Sequence, residues 1–155
     1  TVRRRVLEAS VRAPQDWHQD AIRAAYSSDD EDWRLTAVFS MRWVRGFDTQ
    51  ILEALESNNP DIHYQAVCAA GNWEIDAAWS HVSGIVSAQV NDKALFLAAI
   101  DAVAGIRPQE AGPVLVDLTD SDDEDIAEAA YEAMAMAESL SSDDLDEDDD
   151  DGYVH

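Results

Sequence analysis

The stretch "SDDED" occurs twice in the chain, at 28–32 before Trp33 and at 121–125 before Ile126. Two hypotheses explain the duplication: a pair of acidic metal sites, or the repeated start of one structural unit. The apolar residues that follow the two copies lie 93 positions apart, which is three times 31. Because a fixed period of about 20–50 residues is typical of repeat proteins, this spacing favours the second hypothesis.

Four segments align at this period and share the spacing of one helical face. They are "DEDWRLTAVFSM" (30–41), "NPDIHYQAVCAA" (59–70), "DKALFLAAIDAV" (92–103) and "DEDIAEAAYEAM" (123–134). In each segment an apolar fourth residue is followed by alanine four positions later, and by another small residue three positions after that. Residues at i, i+4 and i+7 lie on one side of an α-helix, so the pattern predicts four helices that other helices can approach closely.

The first residue of each segment is predicted to be the N-cap of its helix. These residues are Asp30, Asn59, Asp92 and Asp123, and Pro60 falls at the first helical position, where its missing N–H costs nothing. Asp and Asn are favoured N-caps because their side-chain oxygen accepts a hydrogen bond from an otherwise unpaired backbone N–H. The acidic residues of the duplicated stretch are therefore interpreted as helix starts.

Shorter amphipathic stretches lie between the four segments, so each repeat is predicted to be a helical hairpin. These stretches are Trp17–Ser27, Thr49–Ser57, Ala77–Ser87 and Gln109–Thr119. At the N-terminus, "VRRRVLEAS" at 2–10 fits the same register, and we expect it to be the second helix of a preceding repeat whose first helix is missing. No turn signal joins alternating apolar runs into a β-hairpin. The pattern therefore predicts about nine helices and an all-α fold.

The aligned segments resemble HEAT repeats, in particular the short HEAT-like type found in phycobilin lyase subunits. Their second helix tends to read Asp, then Val-Arg, with Ala four residues on and Ala-Leu-Gly after it. The residues that carry the resemblance are Asp30, Trp33, Arg34, Ala37, Asp61, Ile62, Ala66, Ala69, Ala70, Gly71, Leu95, Ala99, Ile126 and Ala130. The resemblance covers about residues 1–137 and implies a right-handed α-solenoid of HEAT-like helical hairpins with a 31-residue period.

The charge of the chain is large and unevenly distributed. Acids outnumber bases 33 to 10, yet residues 1–47 carry eight arginines against seven acids. Such acidity disfavours sequence-independent binding to nucleic acid and to anionic membranes, and no apolar run is long enough to span a bilayer. Two interpretations of the acidity are open, adaptation to high internal salt or an acidic tail on an ordinary protein. We favour the first, because without the acidic stretch 138–151 the ratio is still 24 to 10.

The last residues, 138–155, combine a block of like charge with few apolar side chains, so we expect a disordered acidic tail. A solvated tail is the simplest interpretation. Binding of a basic partner and masking of a groove are the alternatives.

Candidate catalytic and metal-binding motifs fail on spacing. An EF-hand loop needs Gly at position 6 and Glu at position 12, and neither copy of the acidic stretch provides them. The four histidines form no His-x-x-x-His pair, and Cys68 is the single cysteine. We therefore expect a cytoplasmic, non-enzymatic protein with no cofactor and no specific metal.

A row of side chains two and six positions after each helix anchor is expected to face outward on the second helices. It changes from apolar at the N-terminal end, including Leu35, Phe39 and Tyr64, to acidic at the C-terminal end. In HEAT-like solenoids the second helices line the concave surface, and an apolar patch on an acidic protein suggests a protein-binding site. The predicted partner-binding residues are Leu35, Phe39, Arg42, Trp43, Tyr64, Trp73 and Leu97.

The function predicted from the sequence is a scaffold or adaptor that holds another protein on this face. Packing of the same side chains against one another is the structural alternative. A subunit of an enzyme such as a phycobilin lyase, implied by the resemblance alone, and a regulatory domain fused to a catalytic portion are the alternative functions. The sequence leaves the oligomeric state open.

Overall fold

The computed structural model describes the backbone of residues 2–153 and the side chains of residues 2–141. Over this range the chain forms nine α-helices and two short 3-10 helices, and it contains no strand. The predicted all-α class and helix number are thereby confirmed. The chain divides into two compact units, Thr1–Ala78 and Trp79–His155.

The first unit consists of five helices. They are α1 (Val2–Ser10), α2 (Trp17–Tyr26), α3 (Glu31–Ser40), α4 (Asp48–Ala54) and α5 (Pro60–Asn72), followed by a 3-10 helix over Asp76–Ala78. Within this unit α2 packs against α3 and α4 packs against α5, and α3 contacts both α1 and α5. Each hairpin thus joins a first helix to the longer or equally long second helix that follows it.

The second unit has the same hairpin organisation. It contains α6 (Trp79–Ala88), α7 (Lys93–Ile106), α8 (Pro108–Leu115), a 3-10 helix over Val116–Asp120, and α9 (Glu124–Tyr153). Within it α6 packs against α7, α8 packs against α9, and the two second helices α7 and α9 contact each other.

All four predicted N-caps are present. The side-chain oxygen accepts a hydrogen bond from a backbone N–H at 2.9 Å for Asp30, 2.9 Å for Asn59, 3.1 Å for Asp92 and 3.0 Å for Asp123. Each cap contributes about 1 kcal/mol to helix stability. The duplicated acidic stretch is therefore accounted for by two helix starts.

The small residues of the repeat pattern form the centre of each unit. Ala37, Ala66, Ala99 and Ala130 are all 0% exposed, and the small residues three positions later are also buried, namely Ser40, Ala69, Ala102 and Ala133. The Ser40 hydroxyl is satisfied locally, because its Oγ donates to the Thr36 carbonyl oxygen at 2.7 Å. Small side chains at these positions let neighbouring helices pack closely.

His18 at the start of α2 is the one buried histidine among the described side chains. Its Nδ1 accepts from the Gln15 N–H at 2.8 Å, and its Nε2 lies 2.8 Å from Ser10 Oγ, which donates to the Leu7 carbonyl at 3.0 Å. These bonds require the tautomer that carries its proton on Nε2. The ring thus joins α1 to α2 and has a structural role.

The boundary predicted between residues 137 and 138 does not coincide with the end of a helix. α9 continues across it, and Ala137, 3% exposed, is the last buried residue along the described part of α9. The helix therefore passes the predicted boundary, and the division into a repeat domain and a tail stays a prediction. Most of the predicted disordered tail lies outside the residues whose side chains are described, and its disorder stays a prediction.

Candidate protein-binding site

The turn between α3 and α4 forms part of the candidate site. Residues 41–47 leave α3 through the sequence "MRWVRGF", in which Met41, Val44 and Phe47 are buried and Trp43 and Arg45 are exposed. Gly46 has a φ of +107°, a backbone conformation that residues with a Cβ rarely adopt. The glycine thus lets the chain reverse direction while Trp43 and Arg45 remain at the surface.

Two side chains from the end of α5 fix this turn. Trp73 Nε1 donates to the Met41 carbonyl oxygen at 2.6 Å, and Asn72 Nδ2 donates to the Arg42 carbonyl oxygen at 2.6 Å. The last carbonyls of a helix have no partner within the helix, so these bonds satisfy groups at the end of α3 that would otherwise need water. The ends of α3 and α5 are thereby joined by hydrogen bonds as well as by packing.

Arginine side chains lie over the aromatic rings at this junction. The Arg42 guanidinium is 5.8 Å from the centroids of both Phe39 and Trp43, and that of Arg12 is 5.5 Å from Trp43. Arg45 lies 4.9 Å from Trp73. We call this set the arginine–tryptophan cluster; its members are Arg12, Phe39, Arg42, Trp43, Arg45 and Trp73.

The cluster carries positive charge, and two of its members are held by hydrogen bonds. Arg42 is also held by Gln65 on α5, whose Oε1 accepts from Arg42 Nη1 at 3.1 Å. Among the described residues no carboxylate lies within ion-pair distance of Arg12, Arg42 or Arg45. This is unusual in a chain with 33 acids and 10 bases. The site therefore offers aromatic rings together with guanidinium groups that form no ion pair among the described residues.

A groove continues from the cluster between α1 and α3. It has a volume of about 570 Å³ and is lined by Arg4, Arg5, Glu8, Ala9, Arg12 and Phe39. Arg4 is held to α3, with its Nη1 3.5 Å from Thr36 Oγ1 and its Nη2 3.8 Å from Asp32 Oδ2. Glu8 accepts the Thr36 hydroxyl at 2.8 Å. Arg5 and Arg12 are exposed and, among the described side chains, have no ion pair. We call this feature the α1–α3 groove.

Four of the seven residues predicted from the sequence belong to the arginine–tryptophan cluster, namely Phe39, Arg42, Trp43 and Trp73. Leu35 and Tyr64 are half-buried on α3 and α5 and are not members of the cluster. Leu97 is half-buried on α7, in the second unit. The binding role of all seven stays a prediction.

Three important residues were not predicted, namely Arg12, Arg45 and Gln65. Arg12 follows α1 whereas Trp43 follows α3, so only the tertiary fold brings the two together. Arg45 follows Trp43 by two positions, and the two arginines of "RWVRGF", each followed within two positions by an aromatic residue, were the signal available in the sequence. Gln65 lies on α5 one position after Tyr64, and no pattern in the sequence distinguishes it.

Two further cavities occur in the first unit. The first has about 410 Å³ and is apolar, formed by α1, α2 and the start of α3 with Val6, Leu7, Trp17, Ala21 and Trp33 among its lining residues. Val6 is 57% exposed although it lines this cavity.

The second cavity has about 390 Å³ and is polar, with Tyr26, Arg34 and Glu53 among its lining residues. The Tyr26 hydroxyl donates to Glu53 Oε1 at 3.2 Å. Burial raises the pKa of Tyr26, and the negative charge of Glu53 raises it further. The hydroxyl is therefore a donor at neutral pH and is poorly suited to act as a base.

No group of three or more side chains among the described residues is arranged to hold a metal ion. In the same range, no helix is long and apolar enough to cross a membrane. A scan against protein-family models and a search of curated protein sequences both gave no match.

Proposed function

We propose that this chain is a non-enzymatic protein-binding module, a scaffold or adaptor that captures its partner on the arginine–tryptophan cluster. The observation that carries the proposal is the set of guanidinium groups over one exposed ring, Trp43, and two half-buried rings, Phe39 and Trp73, where α3 and α5 end. Trp43 is 36% exposed, so its ring is accessible from solvent. Residues that dominate protein interfaces are enriched in Trp, Tyr and Arg.

The hydrogen bonds that hold two side chains of the cluster support the same function. The side chains of Arg42 and Trp73 are already fixed by hydrogen bonds to α5 and α3. Ordering a rotamer-rich side chain on binding costs about 0.5–1.5 kcal/mol, so a surface that is ordered beforehand loses less. Each cation–π contact contributes about 0.5–1 kcal/mol at exposed sites and helps to hold this geometry.

We further propose that the hairpins belong to a HEAT-like solenoid whose second helices provide the binding surface. This proposal is supported by the N-cap and buried alanine that recur in α3, α5, α7 and α9. We also propose a cytoplasmic location, because a chain with a single cysteine can form no internal disulfide.

The experiment compares the proteins captured by the wild-type chain and by Phe39→Ser/Trp43→Ser. Immobilised proteins are incubated with lysate of the source organism, and any protein lost from the variant is purified and titrated against both. We expect at least about a tenfold loss of affinity, since removing central interface aromatics costs about 2 kcal/mol or more.

Tyr131→Ser provides the matched control, because Tyr131 is 62% exposed on α9, in the other unit. It should retain the partner. Equal capture by the wild type and by Phe39→Ser/Trp43→Ser, with both folded by circular dichroism, would contradict the proposed function.

A further inference from the structure

We propose that the α1–α3 groove binds a carboxylate-rich peptide segment of the partner protein, with carboxylates on Arg5 and Arg12 and an apolar side chain against Phe39. The inference rests on the proposed function, because Arg12 and Phe39 belong both to the groove and to the arginine–tryptophan cluster. One continuous ligand could therefore contact both surfaces.

The arginines of the groove differ in their contacts. One of them binds α3, and the other two can bind a ligand. Arg4 contacts the Asp32 carbonyl and Thr36 on α3, so it joins the two helices. Arg5 and Arg12 lie about two helical turns apart, or about 10 Å along α1 and the turn that follows it. The small side chain of Ala9 between them leaves space for a ligand.

The charges of the groove favour an anionic occupant. Only one acid, Glu8, lines it, and the carboxylate of Glu8 is engaged by the Thr36 hydroxyl at 2.8 Å. Arginine binds carboxylates through two parallel hydrogen bonds, and such charge-assisted bonds are about twice as strong as neutral ones. Arg5 and Arg12 are exposed and form no ion pair among the described residues. Each can therefore bind one acidic side chain of a ligand.

The rest of the chain distinguishes a peptide from a nucleic acid. A long polyanion would bring many charges close to a protein of net charge −23. A short peptide brings few, and at physiological salt the Debye length of about 8 Å screens distant acids more than the contacts in the groove. Phe39 adds an apolar wall that a peptide side chain can cover.

The test uses the full chain and a short fluorescein-labelled peptide of alternating glutamate and leucine, measured by fluorescence anisotropy in about 0.15 M salt. A second peptide has glutamine in place of every glutamate. We expect saturable binding of the acidic peptide and at least about tenfold weaker binding of the glutamine peptide.

Charge reversal locates the site. Arg5→Glu/Arg12→Glu should weaken binding of the acidic peptide by at least about tenfold. The control Arg3→Glu/Arg23→Glu changes the net charge by the same amount in the same unit and should stay within about twofold of the wild type. If the charge-reversed variant fails to fold, Arg5→Gln/Arg12→Gln takes its place, with a smaller loss expected.

A third variant is expected to strengthen binding of the acidic peptide, in contrast to the charge reversal. Glu8→Gln keeps an acceptor for the Thr36 hydroxyl and removes the one negative charge of the groove, so it should tighten binding of the acidic peptide severalfold. Unchanged or weaker binding by this variant would count against the proposal.

Three results would overturn the inference. They are equal binding of the two peptides, equal loss in the control variant, and binding of labelled oligothymidylate that depends on Arg5 and Arg12 while the acidic peptide does not bind. None of these affects the capture experiment with Phe39→Ser/Trp43→Ser. If that capture fails while the acidic peptide still binds the groove, the proposed function fails alone.

Discussion

Asp101 on α7 is a carboxylate whose folded environment opposes its charge. Although the residue is exposed overall, partial burial of its carboxyl group raises the pKa of Asp101 above its ordinary value of 3.8, and the negative charge of Glu132 on α9 raises it further. At pH values between the ordinary and the raised pKa of Asp101, the folded state therefore binds more protons than the unfolded state. The contribution of this group to stability is full below pH 3.8 and is lost as pH rises through the raised value.

We expect Asp101→Asn to raise the melting temperature near pH 7 and to leave it unchanged at a pH below 3.8. Because the group is largely exposed, the gain should be a few tenths of a kcal/mol, or about 1 °C. Thermal unfolding followed by circular dichroism across this pH range measures it. Asp117→Asn removes the same charge from an exposed site and corrects for general charge relief. An equal gain from both variants would contradict the assigned environment.

The residue scale also shows what the sequence could predict. Capping by Asp30 or Asn59 is a local interaction with a backbone N–H two or three residues away, so spacing alone predicted it. The contact of Arg12 with Trp43 joins the turns that follow α1 and α3, and it depends on how these two helices pack. A sequence pattern carries no information on that packing at single-residue precision.

At the scale of the elements, the first helices depart most from prediction. The stretch Gln109–Thr119 was predicted as one helix, whereas the structure has α8 over Pro108–Leu115 and a 3-10 helix over Val116–Asp120. Pro113 lies inside α8, where it lacks the N–H of an internal hydrogen bond and its ring crowds the preceding turn. The α-helix ends two residues after this proline, and a 3-10 segment, common at helix C-termini, follows it.

The second helices depend on the small residues at their contacts. Replacing Ala99 with leucine should destabilise the protein by about 1–3 kcal/mol, because the position is 0% exposed and extra methyl groups must displace packed neighbours. Urea unfolding followed by circular dichroism measures the change in free energy. Ala94→Leu is the matched control, since Ala94 is exposed on the same helix. If the two variants differ by less than about 0.5 kcal/mol, close packing at Ala99 is not what stabilises α7.

At the scale of the whole molecule, charge is divided between the two units. Eight of the nine arginines lie in the first unit, together with 13 of the 33 acids, whereas the second unit holds 20 acids and two bases. Composition predicted this asymmetry, and the all-α class followed from helical periodicity. The solenoid and its concave face depend on how successive hairpins stack along the chain, and they stay proposals.

The acidity predicts a strong dependence of stability on salt. If the chain is adapted to high internal salt, it should lose structure as the concentration falls below about 1 M, since the Debye length grows from about 3 Å at 1 M to about 10 Å at 0.1 M. Thermal unfolding in a series of potassium chloride concentrations measures this. Sucrose at matched osmolality is the control for general solute exclusion. Full structure with an unchanged melting temperature at about 0.1 M salt would rule out the adaptation.

The contact between the starts of α7 and α9 makes Lys93 an unusual chemical group. It is the chain's one lysine, and its Nζ lies 2.7 Å from Asp125 Oδ2 and 3.1 Å from Asp123 Oδ2. The hydrogen bond to Asp125 raises the pKa of Lys93 most, and the hydrogen bond to Asp123 raises it further. An acylating reagent reacts only with the unprotonated amine, so Lys93 must first leave both carboxylates. The rate of acylation at this single ε-amine therefore reports how often the Lys93 side chain leaves its two carboxylates and loses its proton.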